Sequence, residues 1–131
     1  MTKKWAAFPY PDKAYVYDAA GLKKAWSRLQ TAVALAPKAT EREQAFIQAL
    51  SARYVESPPD DRRPLDEAYA TSTGQLAAAR PDDLDAAVFH AEAMMNLQPW
   101  DFYDEQLRPK GNTAEIVAQL ESVMARNPDH A

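Results

Sequence analysis

The stretch Ala39-Thr40-Glu41-Arg42-Glu43-Gln44-Ala45-Phe46-Ile47-Gln48-Ala49-Leu50-Ser51-Ala52-Arg53-Tyr54 opens with a capping box. The Thr40 hydroxyl can accept the backbone N–H of Glu43, while the Glu43 carboxylate reaches back to that of Thr40, so two orphan donors are satisfied at once. Ala45, Phe46, Ala49, Leu50 and Tyr54 follow at helical spacing and form one apolar stripe. The segment lies between Pro37 and the turn Ser57-Pro58-Pro59-Asp60-Asp61, where proline forbids continuation. It predicts an α-helix with defined ends.

The same pattern extends outward in both directions. Upstream, a helix is expected from about Asp18, with Leu22, Ala25, Trp26, Leu29, Ala32 and Val33 on one face and Pro37 as its stop. Before it, residues 1–17 carry Trp5, Phe8, Tyr10, Tyr15 and Tyr17 around Pro9 and Pro11, which predicts an extended aromatic segment. Downstream, Leu65, Ala68, Tyr69, Leu76 and Ala77 support a third helix ending before Pro81, with Gly74 costing it about 1 kcal/mol relative to Ala. Asp82 is the expected cap of a fourth, with Asp85 in its first turn. Ala87, Val88, Ala91, Met94 and Met95 form its face, and it ends near Leu97. Asn112 and Glu115 are the expected capping pair of a fifth helix, striped by Ile116, Val117, Leu120, Val123 and Met124 and closed by Asn127-Pro128. Between the last two, residues 98–111 read as a long aromatic loop with prolines near both ends.

No run alternates β-branched residues between hairpin turns. Alanine makes up about a fifth of the chain and glycine occurs 3 times, which suits helices. The expected fold is therefore all-α, about five helices in one domain over residues 1–131. A net charge of -4 with interspersed signs provides no basic stripe for nucleic acid. No segment has the roughly 20 apolar residues of a membrane span, and the N-terminus lacks a continuous signal-peptide core. With no cysteine, thiol chemistry and disulfides are excluded, and a soluble, cytoplasmic protein is expected.

Three segments close alike, in Ala-Leu-Ala-Pro37, Ala-Ala-Arg-Pro81 and Ala-Arg-Asn-Pro128. Ala25, Leu29 and Ala32 ahead of Pro37, and Ala91 after Pro81, sit where a tetratricopeptide repeat places its packing residues, and the ending Asn-Pro-Asp-His-Ala resembles the close of such a repeat. The wording over residues 39–54, together with Arg80-Pro81-Asp82-Asp83-Leu84-Asp85-Ala86-Ala87, resembles an internal segment of longer bacterial tetratricopeptide-repeat proteins. Ahead of Pro128 the packing places hold Ile116, Leu120 and Val123, keeping the bulky residue and losing both small ones; ahead of Pro81 they hold Tyr69, Thr73 and Leu76, and the prolines are spaced more widely than the roughly 34 residues of the repeat, so the units are irregular. The resemblance implies antiparallel helix pairs and a protein-binding role. It also implies that the last helix, with Leu120, Val123 and Met124, needs cover, either from the N-terminal aromatic segment or from a second copy in a homodimer.

Chemistry-bearing motifs are sparse. His90 and Glu92 fall on different helix faces, and His130 is the one other imidazole, so a metal site lacks convergent ligands. Asp101, Asp104 and Glu105 read as a solvated cluster rather than an opposed acid–base pair. The three glycines are isolated, and no nucleophile elbow is present. Trp100, Phe102 and Tyr103 stand out, since three aromatics in one loop are costly to leave in water: they fold back over the core or line a groove. No enzymatic activity and no cofactor are expected. The leading expectation is a scaffold for a protein or peptide partner, using the concave side and the 98–111 loop. The alternatives are a small-molecule domain with a pocket at Trp100, Tyr103 and His90, and an orphaned repeat fragment without independent activity.

Overall fold

Capping residues and prolines divide the chain into α1 (Ala19–Leu35), α2 (Glu41–Ser51), α3 (Arg63–Ala79), α4 (Leu84–Asn96) and α5 (Thr113–Arg126), with one 3₁₀ turn at Ala36–Lys38. The computed structural model describes residues 19–130, so the aromatic segment expected over 1–17 lies outside the described residues. Among these residues there is no strand; Tyr103 and Pro109 form one isolated antiparallel bridge.

The α2 start is as the sequence predicts. The Glu43 N–H donates to Thr40 Oγ1 at 3.3 Å, and the Thr40 N–H donates to Glu43 Oε2 at 2.8 Å. Thr40→Ala removes the reciprocal cap and is expected to cost about 1 kcal/mol in chemical denaturation; a loss below a few tenths would show that tertiary packing alone sets this helix start. The third helix starts at Arg63, two residues ahead of the first apolar residue of its expected face, because the Asp61 carboxylate accepts the Arg63 N–H at 2.9 Å and Pro64 suits the first turn. Two expected caps differ. The cap of α4 is Asp83, which accepts the Ala86 N–H at 3.3 Å, whereas Asp82 turns outward to Arg126. Asn112 makes no side-chain cap on α5: its backbone is not extended, and its N–H donates at 2.8 Å to Gln98 Oε1.

Each helix packs on its neighbours in sequence, α1 on α2, α2 on α3, α3 on α4 and α4 on α5, as helix pairs require. The tightest crossing joins α3 and α4. Ala70 meets Ala93 beside Tyr69 and Leu97; Gly74 meets His90; Ala77 packs against the cluster of Ala49, Leu76 and Ala86. The rows Ala70/Gly74/Ala77 and Ala86/His90/Ala93 therefore run antiparallel. A Cβ on Gly74 would stand 2.9 Å from His90 Cε1, so the glycine that weakens α3 alone makes room for an imidazole from α4.

Helix α4 is buried on two sides. Ala86 and Ala93 face α3 at 0% exposure, while Ala91 and Met94 pack with Ile116 of α5, joined by Leu120 and Phe102. A single expected stripe captured the second side and missed the first. Of the three residues expected to need cover on the last helix, Val123 is buried and Leu120 half-buried within the chain, and Met124 is 58% exposed.

Candidate functional site

Between α2, α3 and α4 lies an apolar slot of about 190 Å³, lined by Phe46, Ile47, Ala49, Leu50, Tyr69, Thr73, Leu76 and Phe89. Helical spacing aligns its contributors: Phe46, Ala49 and Leu50 share the inner face of α2, and Tyr69, Thr73 and Leu76 share that of α3. The Phe46 and Phe89 rings meet edge to face at 5.6 Å. Phe89, 45% exposed, and Leu50 stand at the mouth.

The Thr73 hydroxyl in the wall is accounted for. Thr73 is 1% exposed, and its Oγ1 lies 2.8 Å from the Tyr69 carbonyl, 3.1 Å from that of Ala70 and 3.4 Å from His90 Nδ1. Its proton goes to the helix backbone, which leaves the wall effectively apolar. Burial pushes the Tyr69 phenol above its ordinary value, so it remains neutral at physiological pH. The lining residues include no carboxylate, amine or imidazole. This arrangement can hold an apolar group.

Two of the lining aromatics carry a guanidinium. Arg42 lies 4.7 Å from the Phe46 ring centroid and bonds Asp83 and Asp85, each at 2.6 Å. Arg53 lies 4.8 Å from the Tyr69 centroid and 3.4 Å from Glu92, and Arg62 lies 5.8 Å from the Tyr54 centroid. Arg42 holds the Asp83 carboxyl below the usual carboxylate range, helped by the Ala86 N–H. A depressed carboxyl contributes stability that is complete above the unfolded value, about 4, and is lost as pH falls through the folded value. Asp83→Asn keeps the cap acceptor and removes this contribution, so urea unfolding from pH 7 to pH 3 is expected to show a shallower acid decline than the unaltered chain. An unchanged slope would mean that the Arg42 pair does not couple to folding.

The expected site residues are dispersed by the fold. His90 is half-buried on the α3 side of α4, against Thr73 and Gly74, while Phe102 is half-buried on the α5 side with Ala91, Met94 and Ile116. Trp100 and Tyr103 lie on the 98–111 loop. Those two are 79% and 51% exposed.

The loop carrying them is highly organised. Gln98 Nε2 lies within hydrogen-bonding distance of Thr113 Oγ1 (2.8 Å), the Lys110 carbonyl (3.1 Å) and the Asp101 carbonyl (3.2 Å), while Gln98 Oε1 accepts from Asn112. Thr113, 3% exposed, donates to the Phe102 carbonyl at 2.8 Å. Asp104 accepts the N–H groups of Gln106 and Arg108 at 2.9 Å each and pairs with the Arg108 guanidinium at 2.7 Å; the Arg108 N–H, then its guanidinium, hold the carboxyl below its ordinary value. Trp100 and Leu107, the latter 80% exposed, both have left-handed backbone, with φ of 64° and 59°.

Sequence reasoning misses the slot because its wall comes from three helices; of its lining, Phe46, Ala49, Leu50, Tyr69 and Leu76 read as core faces of separate helices. Comparison of the chain with protein-family models, curated proteins and solved structures finds no match in any of the three.

Proposed function

We propose that this chain is a non-enzymatic, tetratricopeptide-like scaffold that binds a protein or peptide through the face formed by α2 and α4. The observation that carries the reading is the apolar slot, with Phe89 and Leu50 exposed and with arginine–carboxylate pairs set against its Phe46 and Tyr69 rings. A volume of about 190 Å³ suits one bulky apolar side chain, and the arginine–carboxylate pairs beside it can exchange partners with the backbone and charges of a bound segment. Trp100 and Tyr103, held on the ordered loop, offer a second contact patch at the far side of α4.

Selection of a random peptide display library on the immobilised protein, with Phe89→Asp as counter-target, tests the reading. Peptides with one conserved bulky apolar residue are expected, binding the unaltered chain at least tenfold more tightly than Phe89→Asp. Enrichment that is insensitive to Phe89, or no enrichment, would overturn it. The small-molecule reading follows the cavity away from the 98–111 loop: an apolar slot of this size also fits one aromatic ring, and indole or benzene titration by NMR distinguishes a small guest from a peptide.

A further inference from the structure

Among the described residues, the contact order α1, α2, α3, α4, α5 leaves two end faces, the outer side of α1 and the outer side of α5. What α5 presents can be read from what α3 presents to α4. Aligning the sequence with itself, Pro128 over Pro81, places Val117 on Ala70, Glu121 on Gly74 and Met124 on Ala77. On α3 this row receives Ala93, His90 and Ala86 of an antiparallel helix. On α5 all three residues are exposed, Val117 at 38% and Met124 at 58%.

The substitutions specify the partner. Where Gly74 makes room for an imidazole, Glu121 presents a carboxylate and calls for a cation. Where Ala70 and Ala77 allow close approach, Val117 and Met124 fill the space and require small residues opposite. The fitting helix therefore carries a small residue, a Lys or Arg four positions on, and another small residue three further. Among the described helices that row occurs in α1, as Ala20, Lys24 and Ser27, all exposed and opposite the buried Leu22 and Leu29. Its geometry is antiparallel: Val117 against Ser27, Glu121 against Lys24 and Met124 against Ala20. A two-fold α5–α5 contact centred on this row would instead set Glu121 against its own copy.

We infer that the outer face of α5 receives the outer face of α1 from a second copy of this chain, giving head-to-tail association with Glu121 paired to Lys24. Such a contact is heterologous and does not close on itself, so copies add end to end. It does not depend on the α2–α4 slot.

Sedimentation equilibrium at low ionic strength, from micromolar to millimolar chain, tests the inference. The weight-average mass is expected to rise with concentration. Glu121→Lys and Lys24→Glu should each weaken association about tenfold, since each turns an attraction into a repulsion. An equimolar mixture of the two variants, or the double variant, should recover it, because lysine then again faces glutamate. Ser27→Trp, which thickens the α1 row without altering charge, should block it. A mass constant across the range overturns the inference, as does growth that stops at a dimer and is indifferent to the charge exchange.

Discussion

Replacing Tyr69 with alanine is expected to cost about 3–5 kcal/mol, the range for removing a buried aromatic from a core that cannot collapse around it. Tyr69 is 4% exposed, packs with Ala70 and Ala93 at the α3–α4 crossing, lies beneath the Arg53 guanidinium and also walls the slot. Alanines surround much of it, and they have no rotamers with which to fill the space. Tyr69→Phe keeps the ring and its contact with the cation, and should cost about 1 kcal/mol. Urea denaturation of the two variants measures the difference. A Tyr69→Ala loss under about 1.5 kcal/mol would mean that the crossing relaxes and that the small-residue rows do not hold α3 and α4 at a fixed separation.

The second large effect is expected at Gly111. Its φ of 51° is one that alanine adopts only at a cost of roughly 1–2 kcal/mol. A Cβ there would also stand 2.4 Å from Gln98 Oε1, the acceptor of the Asn112 N–H. Gly111→Ala must therefore either displace Gln98 or shift the turn. Each hydrogen bond lost with the amide contributes about 1 kcal/mol, so the total is expected near 2–4 kcal/mol. A double-mutant cycle separates the terms. In a Gln98→Ala background the same substitution should cost only its backbone penalty, and hydrogen exchange should report lost protection at Asn112. Equal costs in both backgrounds would show that Gln98 does not read the space left by the glycine.

Most of the helical architecture was legible because its signals are local. The Thr40–Glu43 box, the breaks at Pro37 and Pro81, and the apolar stripes of α1 and α5 each depend on residues within a turn or two of one another. What escaped depends on contacts distant in sequence. Gly74 reads as a weak point until His90 arrives from another helix, and Ala86 and Ala93 read as filler until α4 is seen to be enclosed on both sides. The 98–111 loop reads as irregular because its order comes from one amide, Gln98, and one carboxylate, Asp104, which bond backbone rather than repeat with a period. The aromatic cluster was noticed, yet composition alone could not show that Phe102 turns inward while Trp100 and Tyr103 remain at the surface. The slot is farther still from sequence: it is a gap, and gaps belong to assembled walls.

The strictly neighbour-to-neighbour packing also bears on how fast this chain reaches its native state. Because every substantial helix contact joins segments adjacent in sequence, little loop entropy is surrendered before contacts form, and folding belongs to the microsecond-to-millisecond regime of low-contact-order helical proteins. Assembly can begin at the α3–α4 crossing and spread outward one helix at a time. Unwinding is expected to take the reverse route, beginning at α1, whose substantial packing among the described helices is on α2 and the turn between them, and leaving the alanine-lined centre until last.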